Sequence, residues 1–387
     1  MCIRDSFERP PLWMRLVRVF GGFDGPLMLA IALLSAIGLV AMYSAGYDHG
    51  TRFVDHGRNM LLALGVLFVV AQVPPHKLQQ LAAPLYTVGL ALLIATAVFG
   101  ITRKGATRWL DIGPLVIQPS EILKIATPLM LAWWFQKCEG RMTAAAWVVA
   151  VLLLLLPVGL VVKQPDLGTS ILIFSAGVYV LFFAGLSWRL IVPVLLLAGV
   201  GITAIVVSEP TICQPGVEWP LLKEYQRHRV CTLLDPGKDP LGKGFHIIQG
   251  MIAIGSGGLT GKGFMQGTQT HLEFIPERTT DFIFAAFAEE FGLAGTIGLV
   301  LAFTFLIFRG LMIAAEAPTL FSRLLAGAIT LSFFTYAFVN MGMVSGILPV
   351  VGVPLPFVSY GGTAMVTLGV ALGMLMSIAK SRRMMQS

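Results

Sequence analysis

Apolar residues fall along the chain in ten runs, at about 26–46, 59–73, 81–99, 120–136, 144–162, 168–185, 190–207, 282–308, 323–345 and 363–379. Each is long enough, or nearly so, to cross a bilayer as an α-helix. Polar residues gather between the runs, and one gap, residues 208–280, is far longer than a plain connection. The pattern predicts an all-α polytopic membrane protein of about ten transmembrane helices, with a large loop between the seventh and the eighth. With no internal sequence repeat, residues 1–387 are read as a single domain. Inside the long loop, LLKEYQRHRVCTLLD and GFHIIQGMIAIGSGGL are each expected to form a short helix lying along the membrane surface.

Composition agrees with the pattern. Hydrophobic residues make up 56% of the chain, charged residues 12%, and the mean hydropathy is +0.82, which excludes an ordinary soluble domain. The net charge of +7 does not point to nucleic acid. The basic residues sit at the ends of apolar runs and no nucleic-acid-binding motif accompanies them, so anionic lipid headgroups are the expected partners. With the N-terminus inside, thirteen Lys and Arg fall on inner segments and six in the short outer loops. That asymmetry places residues 1–25 and the tail 380–387 in the cytoplasm, and the 208–280 loop outside. No cleaved signal peptide is expected. The four cysteines have no CxxC spacing, so no zinc site is expected; Cys213 and Cys231 share the outer loop and are either bonded or free thiols.

Ionisable groups in or beside spans are expensive and call for an explanation. Thr279 or Thr280 is expected to cap the eighth helix, placing Asp281 in its first turn as either an anchor for backbone N–H groups or a reagent. At about 100° per residue, Glu289 and Glu290 would then stand about 80° and 180° around the helix from Asp281, with at least one needing a partner in the bundle. In QPSEILK, Ser120 is expected to cap the fourth helix, with Glu121 and Lys124 paired on one face, either structurally or for substrate. In VKQPDLGTS, Lys163 and Asp166 flank Pro165 at the outer edge, and Gly168 permits a sharp re-entry. Arg103, Lys104 and Arg108 stand beside Trp109 before the fourth span, suited to a diphosphate or to ordinary lipid phosphate. Two glycine-containing pieces with Lys243 and Lys262 lack P-loop spacing and are read as flexible turns. His228, His246 and His271 have no ligand spacing, and no metal site is assigned.

Six segments carry a family likeness: WLDIGPLVIQPSEILKIA, KQPDLGTSIL, YQRHRVCTLLDP, GFHIIQGMIAIGSGGLTGKGF, GTQTHLEFIPERTTDFIFAAFAEEFGLAG and VGVPLPFVSYGGTAM. The chain resembles the SEDS family of bacterial cell-wall proteins, and its GTQ and LEFIPE segments resemble the elongation branch more than the division branch. The resemblance implies a peptidoglycan glycosyltransferase of the bacterial cytoplasmic membrane that polymerises lipid II on the outer face. It implies a class B penicillin-binding protein and other rod-complex membrane proteins as partners. It marks Asp281 as the essential acid, and Arg108, Trp109, Glu121, Lys124 and Asp166 as functionally important; Lys163, Lys262 and Arg278 are added here as cations near the substrate. One departure stands out: relatives usually read PERHTDF, and this chain has Thr279 where the histidine is expected.

Lipid II is an α-linked sugar diphosphate and the product is β-1,4-linked, so the implied chemistry is inversion, with Asp281 as base for the acceptor hydroxyl. A divalent cation, magnesium or manganese, is a further means of steadying the departing diphosphate. Two other classes fit the same polar residues: a flippase that moves lipid II, and a scaffold that activates the penicillin-binding protein.

Overall fold

The structure is a computed structural model, and it describes residues 22–386 apart from 49, 104, 105, 114, 215, 216, 218, 220–223, 240, 241, 273 and 276. The cation expected at Lys104 and most of the N-terminal segment 1–25 therefore lie outside the described residues. Among those described, the long helices are α1 (Gly25–Ala45), α2 (Arg52–Ala71), α3 (Pro75–Phe99), α4 (Pro119–Lys137), α5 (Ala144–Lys163), α6 (Leu167–Phe183) and α7 (Trp188–Ile212). The 208–280 loop holds α8 (Glu224–Leu234), α9 (Lys243–Ser256) and the single turn α10 (Thr268–His271), and the bundle closes with α11 (Ile283–Ala315), α12 (Leu320–Val344) and α13 (Gly362–Gln386).

Each of the ten apolar runs coincides with a helix. Eight of these, all but α4 and α6, are long and apolar enough to cross a membrane. The boundaries differ where polar residues belong to a helix. The second run was read from residue 59, yet α2 begins at Arg52 and includes Asp55, His56 and Arg58. The eighth was read to residue 308, yet α11 continues to Ala315, because Arg309 is paired with Asp24, its Nε and Nη2 donating to the two carboxylate oxygens at 2.9 and 2.5 Å. Asp24 also caps α1 by accepting from Leu27 N, and Thr143, Asp166, Ser187 and Thr319 cap α5, α6, α7 and α12 in the same way.

The helix α12 is the centre of the bundle: 72% of its apolar window is buried, and it packs against α11, α6 and α4. At the other side α13 lies on α2, with Gly369 and Gly373 one turn apart against the carbonyls of Ala63 and Leu67. Small residues at that spacing let two backbones approach, which is how helices associate in lipid. In contrast α7 buries none of its residues. Its C-terminal end is fastened to the loop helix α8 by a disulfide between Cys213 and Cys231, 18 residues apart in sequence. Replacing Cys213 by Ser is expected to destabilise this loop by about 3 kcal/mol, the loop-closure value for a ring of this size. The check is faster limited proteolysis between α7 and α8 with the rest of the bundle intact.

One expectation fails locally. The segment before the fourth span is not an irregular loop but a three-stranded antiparallel sheet, β1 (Ile101–Arg103), β2 (Ala106–Ile112) and β3 (Leu115–Ile117), in the order β1-β2-β3. Trp109 pairs with Ile101, and Leu110 with Ile117. Neighbouring strand residues point to opposite faces, so Arg108 and Trp109 project to different sides.

Candidate functional site

Asp281 lies outside the helix that was expected to hold it. The segment 277–282 folds as turns, because the Glu277 carbonyl accepts from both Thr280 N and Phe282 N at 3.1 Å. The first helical residue is Ile283, its N-cap is Phe282, and no side chain caps it. Thr279 and Thr280 therefore do not cap α11: Thr280 Oγ1 donates to Glu277 Oε2 at 2.7 Å, and buried Thr279 accepts from Arg52. The angular relation of Glu289 and Glu290 to Asp281 falls with this, since Asp281 is not helical.

What holds Asp281 is its backbone. Asn340 on α12 donates from Nδ2 to the Asp281 carbonyl at 3.1 Å and to Val353 O at 2.7 Å, clamping the turn to the 346–361 loop. Ser359 Oγ donates to Thr280 O at 2.7 Å, and Tyr360 N to Thr279 O at 2.8 Å. Three residues in sequence are thus fixed while Asp281 stays partly exposed. Gly352, at φ +76°, leaves the space beside it: a Cβ there would sit 3.4 Å from Asp281 Oδ2.

The same loop meets the second predicted acid. A Cβ on Gly168, two residues after Asp166, would lie 2.7 Å from Val351 O, so this glycine serves close approach rather than the sharp re-entry expected of it. Asp166 caps α6 through Thr169 N at 3.2 Å, and it accepts from Gln118 Nε2 at 3.2 Å. Arg108 reaches over from β2, its Nη1 3.7 Å from Asp166 Oδ1, while its other nitrogens donate to the carbonyls of Gln164 and Pro165. The cation expected to suit a diphosphate is held by this turn. Lys163 is exposed at the end of α5 beside that turn, and Trp109 is half-buried in β2.

Deeper in the bundle, Glu121 and Lys124 pair at 2.6 Å with little exposure. The fourth helix starts at Pro119 with Gln118 as N-cap, so Ser120 is not the cap; its Oγ accepts from Gln118 instead, at 3.1 Å. Glu121 Oε2 also accepts from Thr367 on α13 at 3.1 Å, and Lys124 Nζ stands 5.7 Å from the Tyr336 ring centre. Tyr336 and Asn340 are one turn apart on α12, about 6 Å along its axis. A line of polar groups thus runs from partly exposed Arg108 and buried Asp166, through Gln118, to Glu121 and Lys124, with α12 linking the inner pair to Asp281.

The remaining expected residues lie elsewhere in the network. Arg278 is buried, and its Nε, Nη1 and Nη2 donate to Ala45 O, Thr270 O and Asp48, with Tyr47 5.5 Å from the guanidinium. It ties the Asp281 turn to the end of α1. Lys262 is paired with Glu289 at 2.7 Å. Fully buried Glu289 also accepts from Thr268 Oγ1, Gln269 N, Thr270 N and Thr270 Oγ1, and Glu290 accepts from Ser44 at 2.5 Å, so both acids are engaged inside the fold. The glycine-containing segment GSGGLTGKGF forms turns, as expected, but the turns are held by hydrogen bonds to the backbone of α11. Gly292 breaks α11 with φ 62° and ψ −160°, and the 258–263 segment lies in the break. Lys262 N and Gly263 N donate to the carbonyls of Glu289 and Glu290, and Leu293 N and Ala294 N donate back to Gly258 and Leu259. Four hydrogen bonds replace those the helix gives up.

Sequence reasoning missed Arg52, Gln118, Tyr336, Asn340, Ser359 and Thr367. Asn340 and Tyr336 carried a signal, being polar groups inside an apolar run, and Ser359 lies in a motif that was quoted without a role. Among the described residues no group of three or more His, Cys, Asp or Glu is placed to hold a metal ion.

Comparison with known proteins accords with this arrangement. The model of the cell cycle protein family FtsW/RodA/SpoVE matches residues 26–384. The chain is 48% identical over 359 residues to the peptidoglycan glycosyltransferase MrdB of Escherichia coli K12, covering 93% of this chain and 94% of that protein. Among solved structures, it superposes on a chain from work on structural coordination of polymerization and crosslinking by a peptidoglycan synthase complex, with TM-score 0.74 and 34% identity over 93% of this chain and 98% of that one. The rod shape determining protein RodA of Thermus thermophilus gives TM-score 0.66 and 28% identity over 93% and 97%. A family match spanning nearly all of a ten-helix membrane bundle leaves one conclusion: the chain belongs to the FtsW/RodA/SpoVE family of cell cycle proteins.

Proposed function

We propose that this chain is a peptidoglycan glycosyltransferase that joins lipid II units into β-1,4-linked glycan strands, with Asp281 as general base. The observation that carries the reading is a partly exposed carboxylate at the end of the long loop, its backbone fixed on both flanks by Asn340 and Ser359 and its side chain given room by Gly352. Relatives aligned over more than nine-tenths of the chain are named peptidoglycan glycosyltransferases. In the proposed step the 4-hydroxyl of the acceptor sugar attacks the donor's anomeric carbon from the face opposite the diphosphate. The bond to the diphosphate oxygen breaks, the configuration inverts, and the hydroxyl proton passes to the Asp281 carboxylate. Holding both lipid-borne reactants at one membrane surface converts their encounter into an oriented one, which provides much of the rate.

The diphosphate departs with negative charge that needs cations nearby. Arg108, held at the Asp166 turn, and exposed Lys163 are the groups proposed for it, with Trp109 beside the sugars. Glu121 and Lys124, buried one helical turn away, support the floor of the site. Arg278 and Lys262, expected from sequence to touch substrate, are proposed instead as positioning residues, because Arg278 is buried and Lys262 is paired with fully buried Glu289, whereas Arg108 keeps part of its side chain exposed.

The reading places the chain in the cytoplasmic membrane with both termini inside and Asp281 outside. A disulfide in the 208–280 loop supports an oxidising, outer location for that loop. A class B penicillin-binding protein is the proposed partner, since the solved neighbour belongs to a peptidoglycan synthase complex. Purified chain given labelled lipid II in detergent, where both faces are accessible, tests the reading. A glycosyltransferase makes glycan polymer. Transfer of lipid between leaflets of vesicles without polymer would make the chain a flippase, and neither activity without the penicillin-binding protein would make it a scaffold.

A further inference from the structure

On the face opposite the 208–280 loop, α5 and α7 both begin beside one apolar groove of about 440 Å³. Trp147, Val148, Val151 and Leu152 of α5 form one wall, and Leu186 and Leu190 the other. Val148, Val151 and Leu152 share one face of α5 at i, i+3, i+4 spacing, so the groove runs along the helix into the depth of the bilayer. Its mouth is different in kind. Arg141 stands exposed two residues before the Thr143 cap of α5, and Arg189 stands exposed in the first turn of α7. Lys137 is also exposed, its Nζ 5.1 Å from the Trp133 ring centre. The single acid of the α4–α5 turn, Glu139, accepts from Gln136.

Four of the chain's seven tryptophans lie in this corner: Trp133, Trp134, Trp147 and Trp188. Trp134 Nε1 donates to Ala146 O at 2.9 Å, Trp147 packs 5.1 Å from Phe135, and Trp188 packs 5.7 Å from Phe182. Tryptophan gathers where hydrocarbon meets headgroups, so the rings mark the level of the membrane surface at the mouth of the groove.

We infer that this corner is a binding site for one anionic glycerophospholipid, an acyl chain lying along Val148, Val151 and Leu152 and the phosphate between Arg141 and Arg189. Charge complementarity selects this occupant over a neutral lipid or an apolar helix. Both helix N-termini turn their free N–H groups toward the same mouth and add to the attraction for a phosphate. At about 1 kcal/mol for each cation, a juxtamembrane cluster of two or three favours anionic over zwitterionic lipid by at least about tenfold. That this face meets the inner leaflet rests on the orientation proposed above; the site itself does not.

The test uses the full chain in vesicles of phosphatidylcholine containing a minor fraction of lipid with bromine on its acyl chains, which quenches nearby tryptophan fluorescence. Brominated phosphatidylglycerol is expected to quench as though enriched about tenfold over brominated phosphatidylcholine at the same fraction. The double variant Arg141→Gln, Arg189→Gln is expected to bring the two lipids level. Val151→Phe, which fills the groove without touching a charge, is expected to abolish the enrichment as well. Equal quenching by both lipids in the unmodified chain overturns the inference. So does an enrichment that survives either variant, since the lipid would then be held elsewhere or by surface charge alone. Glycan synthesis is not read in this experiment, so failure of the enzymatic assignment would leave its outcome unchanged.

Discussion

Gly261→Ala is expected to destabilise the protein by roughly 3–6 kcal/mol. Gly261 has φ +82°, and a Cβ built on it would lie 2.0 Å from the carbonyl oxygen of Glu290. The left-handed backbone alone costs an alanine about 1–2 kcal/mol. The clash is with backbone, not with the tip of a flexible side chain, so the 258–263 segment must lift from the break at Gly292. Lifting it separates Lys262 N and Gly263 N from their carbonyls and disturbs the Lys262–Glu289 pair. Each buried backbone group left without a partner costs about 1–3 kcal/mol. Thermal unfolding in detergent checks this, with Gly298→Ala as control. Gly298 lies in α11 with nothing within 4 Å of its Cβ direction, and its replacement is expected to leave the midpoint unchanged or slightly raised.

That segment also shows where the sequence was legible and where it was not. Apolar run length foretold each long helix, because burial of main-chain polar groups in lipid leaves few alternatives to a helix. It misplaced ends where a polar residue found a partner inside the helix, as Arg309 did with Asp24. The pair of threonines at 279–280 looked like a helix cap from composition alone. What decided the matter was the Glu277 carbonyl, which takes two N–H groups and ends the turn one residue after Asp281. No local pattern reports such a competition. The glycines of GSGGLTGKGF were visible, but their purpose depends on Gly292, about thirty residues away, whose break gives their segment a place to bind.

The candidate site was legible by residue type and only partly by partner. Glu121 with Lys124 followed from helical spacing, and the structure forms that pair. Arg108 with Asp166 joins a strand to a helix cap, and the spacing of the two in sequence says nothing about it. Arg278 looked available because it stands three residues before Asp281; its actual neighbours are Ala45 and Asp48, at the far end of the first helix.

Asp281→Asn is expected to lower glycan polymerisation by about 10²–10⁴-fold, the contribution of a positioned general base. The substitution keeps the shape of the side chain beside Gly352 and removes its capacity to take a proton. Folding is expected to persist, since the turn is held through the Asp281 carbonyl by Asn340 and not through the carboxylate acting as a helix cap. Asn340→Ala is the complementary case: it removes that clamp and leaves the carboxylate, so it is expected to reduce the rate through loss of position. The most direct measurement is the rate of glycan strand formation from labelled lipid II by purified, folded Asp281→Asn alongside the unmodified chain. A loss of at least about a hundredfold is the result predicted; strand formation at the unmodified rate would contradict the account.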